Sequence, residues 1–221
     1  MFPWTSASSA STPSEADTAA TARSDLLTSA LRLSFFTIAW NGAVGAIALA
    51  LSVADGSLAL ASFGLSALLD VSASVVLVWR FRKEQRDPVA ADRLERHAQG
   101  YIVVAMLAVG LYIAVQGVRS LVGGAHPEAS AFGVILAAVS LVVLPVLAWR
   151  KLEVATRLAS QALRGDGVLT GAAAVLAATT LTALVLNSTL GWWWADPTAA
   201  LLVAAALTTE GMRIGIRHRF G

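Results

Sequence analysis

Apolar side chains run through this chain in six stretches, residues 33–54, 58–79, 101–122, 131–149, 168–190 and 198–216. Each is close to the roughly 20 residues that an α-helix needs to cross the hydrocarbon of a bilayer. The breaks between them are polar and carry turn chemistry. Asp55-Gly56-Ser57 is a tight-turn signal, so the first two spans are predicted to be antiparallel neighbours. Before the last span, Asp196 can accept from free backbone N–H groups as an N-cap, and Pro197 suits the first helical position, where no donor is needed. Pro145 removes one backbone hydrogen bond inside span four and predicts a kink there. Residues 150–164 (RKLEVATRLASQALR) are mildly amphipathic, which predicts that span four continues out of the apolar layer and turns back, the turn ending where Gly165 and Gly167 flank Asp166.

Polar positions inside the spans are few, and Asp70 stands out among them. It lies about 18 Å from one end of its apolar run and about 13 Å from the other, at a helical rise of ~1.5 Å per residue. A carboxylate at that depth costs at least ~2.5 kcal/mol and ordinarily faces a bundle interior or a wet cavity that handles ions, protons or substrate. The remaining candidates, Asp55, Asp166, Asp196 and Glu210, fall at or near the ends of apolar segments. Ser62, Ser66, Asp70 and Ser74 recur every four residues and share one face of span two. Thr37, Asn41 and Gly45 share a side of span one, and Asp166 and Thr170 share a face of span five that continues through Ala173. For each Ser, Thr and Asn, interhelical hydrogen bonding is the plainest role, and the small residues let helices approach closely.

Composition sharpens the class. Of 221 residues, 57% are hydrophobic and 14% charged, which a single water-soluble core does not explain. Basic residues set the orientation. Arg23 and Arg32 precede span one, a run from Arg80 to Arg96 separates spans two and three, Arg150, Lys151, Arg157 and Arg164 separate spans four and five, and Arg213, Arg217 and Arg219 follow span six. With only Arg119 near an opposite-side loop, the positive-inside rule predicts a multi-pass cell-membrane protein with cytoplasmic N- and C-termini. Trp79 and Trp149 at the basic ends, and Trp192, Trp193 and Trp194 at the opposite ends, fit interfacial belts. The net charge of +2 follows from this asymmetry and gives no support to a nucleic-acid partner. Residues 1–28 read as a disordered cytoplasmic tail rich in Ser, Thr and Ala, with no signal-peptide pattern expected. Residues 29–217 then form the transmembrane domain and 218–221 a short cytoplasmic end. The chain has no cysteine, and His97, His126 and His218 lie outside the spans, so neither thiolate nor imidazole is available at depth. No second buried acid, His or Cys accompanies Asp70 as a catalytic constellation, and an enzyme is not expected.

Several strings share a family likeness. GSLALASFGLSALLD (56–70), AWNGAVGAI (39–47), VRSLVGG (118–124), SLVVLPVLA (140–148) and LNSTLGWWWADPTAALLVA (186–204), in this order and at this spacing, resemble the cation diffusion facilitators, in the short branch that lacks a cytosolic metal-binding domain. The resemblance implies an all-α bundle of six transmembrane helices, usually a homodimer, that exchanges a divalent metal cation, typically zinc, for protons. It implies two ligands from span two and two from span five, each pair four residues apart and so one turn apart on one helix face. Asp70 matches the second ligand of span two, and Ser66 stands at the first. On span five the ligand positions fall on Leu169 and Ala173, which have no donor atom, and Val44 and Gln116 stand where the short branch carries acids. The metal site is thus Asp70 and Ser66, with Asn41, Thr170 and Asp166 as candidate pathway residues. Oxygen donors of this kind favour a harder ion such as manganese over zinc. No permanently bound cofactor is implied, and the partners are the lipid bilayer, a divalent cation and a proton. Two functions follow. One is proton-coupled cation efflux through a site centred on Asp70; the other is a transport-inactive relative that assembles with, or regulates, a related active transporter.

Cysteines introduced singly at Ser8 and His218 test the orientation in this naturally cysteine-free chain. Both should react with a membrane-impermeant maleimide only after the cells are opened, and labelling of either in intact cells contradicts the assignment.

Overall fold

The computed structural model describes residues 13–55, 58–123, 131–190 and 194–220. Among them run six long helices: α1 (Pro13–Asp55), α2 (Leu58–Arg86), α3 (Ala91–Gly123), α4 (Ala131–Leu158), α5 (Gln161–Leu190) and α6 (Ala195–Phe220), with a short 3₁₀ turn at Pro88–Ala90 after α2. Four contain windows apolar and long enough to cross a membrane: Ala20–Ala50, Ala91–Gly123, Val134–Leu158 and Pro197–Ile216. Helices α2 and α5, with 29 and 30 residues, have the length to cross as well. Val104, Leu111, Val142 and Leu202 point outward, as lipid-facing side chains do, while a continuous core joins Leu77, Phe81, Ile102, Met106, Leu163 and Leu207.

Helix α1 packs along α2, α3 along α6 and α4 along α5, and the α1–α2 hairpin meets the α4–α5 hairpin through α1 against α4 and α2 against α5. Small residues bring α1 and α2 together. A Cβ on Gly64 would lie 2.9 Å from the Gly45 carbonyl oxygen and 2.7 Å from Leu49 Cγ, so the two backbones can approach at this level only because residue 64 is glycine. That contact sets Asn41, one turn from Gly45, beside Asp70.

Three expectations change. First, α1 begins at Pro13, so the part of the proposed tail from residue 13 onward is helical. The reason lies in its partners: Arg23 pairs with the buried Glu84 of α2, and Leu27 and Ala30 enter the core. Second, the reversal between α4 and α5 falls at Ala159-Ser160, before Gly165-Asp166-Gly167. The Ser160 N–H donates to the Ala155 carbonyl at 3.0 Å and Ala159 N–H to Thr156 at 3.3 Å, around Ala159 in the left-handed region at φ 53°. Ser160 Oγ then accepts from the Leu163 N–H at 3.1 Å, and Glu95 from Ala162 N–H at 2.8 Å, so a side chain and its neighbour cap α5 at once. Third, α6 begins at Ala195, with the Thr198 N–H donating to the Trp194 carbonyl at 3.2 Å, so Asp196 and Pro197 lie inside its first turn and not at the N-cap and first helical positions. Helix α4 continues through Pro145; the side chain of Asp196, the 56–57 turn residues, Trp192 and Trp193 lie outside what is described.

Basic residues at the same end of the bundle are not all solvated. Arg80 is buried, with its guanidinium 2.9 Å from Glu84 and 2.7 Å from Glu95. Since Glu84 also takes Arg23 and Glu95 receives Ser160 Oγ, this network ties α1, α2 and α3 to the α4–α5 turn.

The two glycines beside Asp166 sit inside α5 as contact points. A Cβ on Gly165 would lie 2.5 Å from Ile102 Cγ2, and one on Gly167 3.1 Å from Leu152. Gly165→Ala should therefore lower stability by about 1–3 kcal/mol, as overpacking does. Combined with Ile102→Ala, which empties that space, the total loss should be smaller than the sum of the two separate losses. Thermal unfolding of the four chains in detergent micelles measures this, and strict additivity would show that the two residues do not meet.

Candidate functional site

Asp70 is buried, as its position on the small polar face of α2 predicts, and Ser74 one turn further along is fully enclosed. One carboxylate oxygen of Asp70 accepts from the Asn41 side-chain amide of α1. Its other oxygen, Oδ1, is buried and has no hydrogen-bond partner. The side chains of Ser62 and Ser66 lie outside the described residues.

Asp166 corrects the sequence reading. Expected near the end of a span, it is completely buried, because α5 starts at Gln161 and because Gly165 and Gly167 let α3 and α4 close over it. Its Oδ1 accepts from Ser74 Oγ at 3.2 Å, and its Oδ2 lies 2.6 Å from the Lys151 ammonium nitrogen of α4. Lys151 is itself wholly buried and donates also to Thr170 Oγ1 at 2.9 Å. Thr170 in turn donates to the Asp166 carbonyl, 3.0 Å away. The structure therefore gathers Asn41 and Asp70, and separately but one helical turn away Ser74, Asp166, Thr170 and Lys151. Both Lys151 and Asp166 act electrostatically on Asp70.

Of the positions matched to family ligands, Leu169 is packed in the apolar core and Ala173 is half-buried; neither offers a donor. Among the described residues, no three His, Cys, Asp or Glu side chains lie close enough to hold a metal together. What gathers around Asp70 and Asp166, beside the Lys151 ammonium, is oxygen: their two carboxylates, the Ser74 and Thr170 hydroxyls and the Asn41 amide, from α1, α2 and α5. Such a set suits hard cations and protons better than zinc.

Lys151 is the residue that sequence reasoning missed, having counted it among the charges that orient the chain. The signal was present. Leu144, Leu147, Ala148, Val154, Ala155 and Leu158, at helical spacings of three, four and seven from Lys151, are all buried, whereas the adjacent Arg150 is exposed. Arg80 carries the same signal, one turn after Leu77 and one before Glu84.

A bundle of long apolar helices with ionisable groups enclosed inside it has the architecture of a multi-pass membrane protein. The model of the cation efflux transmembrane domain matches residues 34–217, and the chain belongs to that family, the cation diffusion facilitators. Its members are transporters of divalent metal cations rather than enzymes. No curated protein matches the chain.

The Lys151–Asp166 pair makes a stability prediction. Asp166→Ala leaves a buried ammonium without its counter-charge and should cost about 3–5 kcal/mol, whereas the double change Lys151→Met with Asp166→Leu should recover most of that loss. Thermal unfolding in micelles reads both. A single variant as stable as the double would mean that Lys151 reaches water.

Proposed function

We propose that this chain is a proton-coupled exporter of a divalent cation, with a pathway centred on Asp70. The observation that carries this reading is the unengaged Asp70 carboxylate oxygen inside the bundle, beside an amide that holds the other oxygen in place. A buried acceptor left open is costly unless something transiently fills it. A proton and a metal cation are the two natural occupants. With Asp70, Asp166 and Lys151 all ionised, the interior carries one unbalanced negative charge, and the low-dielectric surroundings favour binding of one positive charge to it. Asn41, Ser74 and Thr170 supply the neutral oxygens of the pathway, with Asp166 behind them, and Ser66 extends it along α2. The donor chemistry favours manganese or magnesium over zinc. In this reading both termini are cytoplasmic, the membrane is the cell membrane, and two copies associate as a homodimer.

One observation favours a second reading, a transport-inactive relative that partners an active transporter: a lysine already satisfies Asp166, and Leu169 and Ala173 bring no donors.

Sealed vesicles containing the purified chain separate the two. Under an imposed proton gradient the wild type should move Mn²⁺ well above protein-free vesicles, and Asp70→Asn should reduce that flux at least tenfold, a loss of about 1.4 kcal/mol or more. Equal flux in both chains removes Asp70 from the pathway, and no flux by the wild type favours the inactive relative.

A further inference from the structure

The Lys151 ammonium group lies where a cation would lie. It is fully buried, and its two polar contacts are oxygens of one helix face, the Asp166 carboxylate at 2.6 Å and the Thr170 hydroxyl at 2.9 Å. Asp166 and Thr170 are four residues apart, so α5 presents them one turn apart, like a pair of ligands. Asp166 also engages the Ser74 hydroxyl, and the unpartnered, buried Asp70 oxygen belongs to the next turn of α2. Both described polar contacts of the ammonium are thus hard oxygen donors.

We propose that Lys151 is a tethered occupant of a cation site on Asp166, and that an inorganic divalent cation binds there only when the lysine side chain leaves. Charge balance supports the exchange. With the lysine in place, a divalent cation would leave the buried set of two carboxylates with one excess positive charge; with the lysine withdrawn, the same ion makes it neutral. The withdrawal proposed is toward the C-terminal end of α4, two turns away, with the lysine stem keeping its methylenes against apolar neighbours as its head moves toward water. Lysine suits this role better than arginine, because its ammonium is a compact point charge comparable to an ion, whereas a guanidinium is a planar fork. The proposal deepens the Asp70-centred reading and rests on it for the site's purpose in transport, but it places the bound ion on Asp166.

The test is Mn²⁺ binding to the purified full chain in lipid nanodiscs, by calorimetry and by the shift in unfolding temperature. Lys151→Gln should bind one Mn²⁺ per chain at least tenfold more tightly than the wild type, and Mn²⁺ should raise its unfolding temperature while leaving the wild type little changed. Adding Asp166→Asn should abolish the gain, and Lys151→Arg should not show it. The proposal fails if Lys151→Gln binds Mn²⁺ no better than the wild type or if the gain survives Asp166→Asn. It fails equally if the Lys151→Gln chain cannot be recovered folded with Mn²⁺ present throughout, which marks the pair as a purely structural bridge. Adding Asp70→Asn to Lys151→Gln separates this proposal from the wider reading: a gain that persists there keeps the site on Asp166 and moves the pathway away from Asp70.

Discussion

Charge inside a hydrocarbon layer must be matched, and that constraint shapes this bundle more than any apolar contact does. An uncompensated buried ion costs several kcal/mol, and lipid offers it neither water nor counter-ion. The structure answers at two levels. Deep in the bundle, the Lys151 ammonium matches Asp166, while Asp70 is held by the neutral Asn41 amide. Nearer the basic end, Arg80 stands between Glu84 and Glu95, which also gather Arg23, Ser160 and the first turn of α5. Each level joins helices that are distant in sequence, so electrostatic matching does part of what loops and apolar packing do in a soluble helical protein.

Close packing is what makes the matching possible. Gly64 faces Gly45 and Leu49, and Gly165 and Gly167 face Ile102 and Leu152; side chains at these positions would hold the helices apart and open the polar groups to lipid or water. The family's transport activity and this chain's own interior meet at that point. The fold keeps oxygen donors buried around Asp70 and Asp166, while Leu169 packs in the apolar core and Ala173 brings no donor.

Much of this was legible before any coordinates. Six apolar stretches gave six helices, the four-residue spacing gave Asp70 and Ser74 as buried neighbours on α2, and the Asp-Gly-Ser break gave α1 and α2 as neighbours. The failures share one cause, the habit of treating charges near span ends as solvated. Asp166, Lys151, Arg80 and Glu84 all lie within about three turns of a helix end in sequence, yet their helices extend past the apolar windows and pack there, so the residues are enclosed. The reversal was misplaced for a related reason. Glycines on either side of an aspartate look like a turn, whereas the turn itself uses Ala159 at a positive φ, a conformation that alanine's identity does not advertise.

The short connection at Ala159-Ser160 has a mechanical consequence. Because it holds α4 and α5 as one hairpin, the buried Lys151–Asp166 ion pair is internal to that hairpin and joins its two helices to each other. Across the boundary to α2 at this depth, the described tie is the single Ser74 hydroxyl at 3.2 Å. Breaking such a hydrogen bond to a charged group costs about 1.5–3 kcal/mol, against about 3–5 kcal/mol for stripping one partner from a buried ion pair. At this depth the α4–α5 hairpin is therefore joined to α2 by a weaker polar contact than the one that joins its own two helices, so the ion pair acts as a staple within the hairpin.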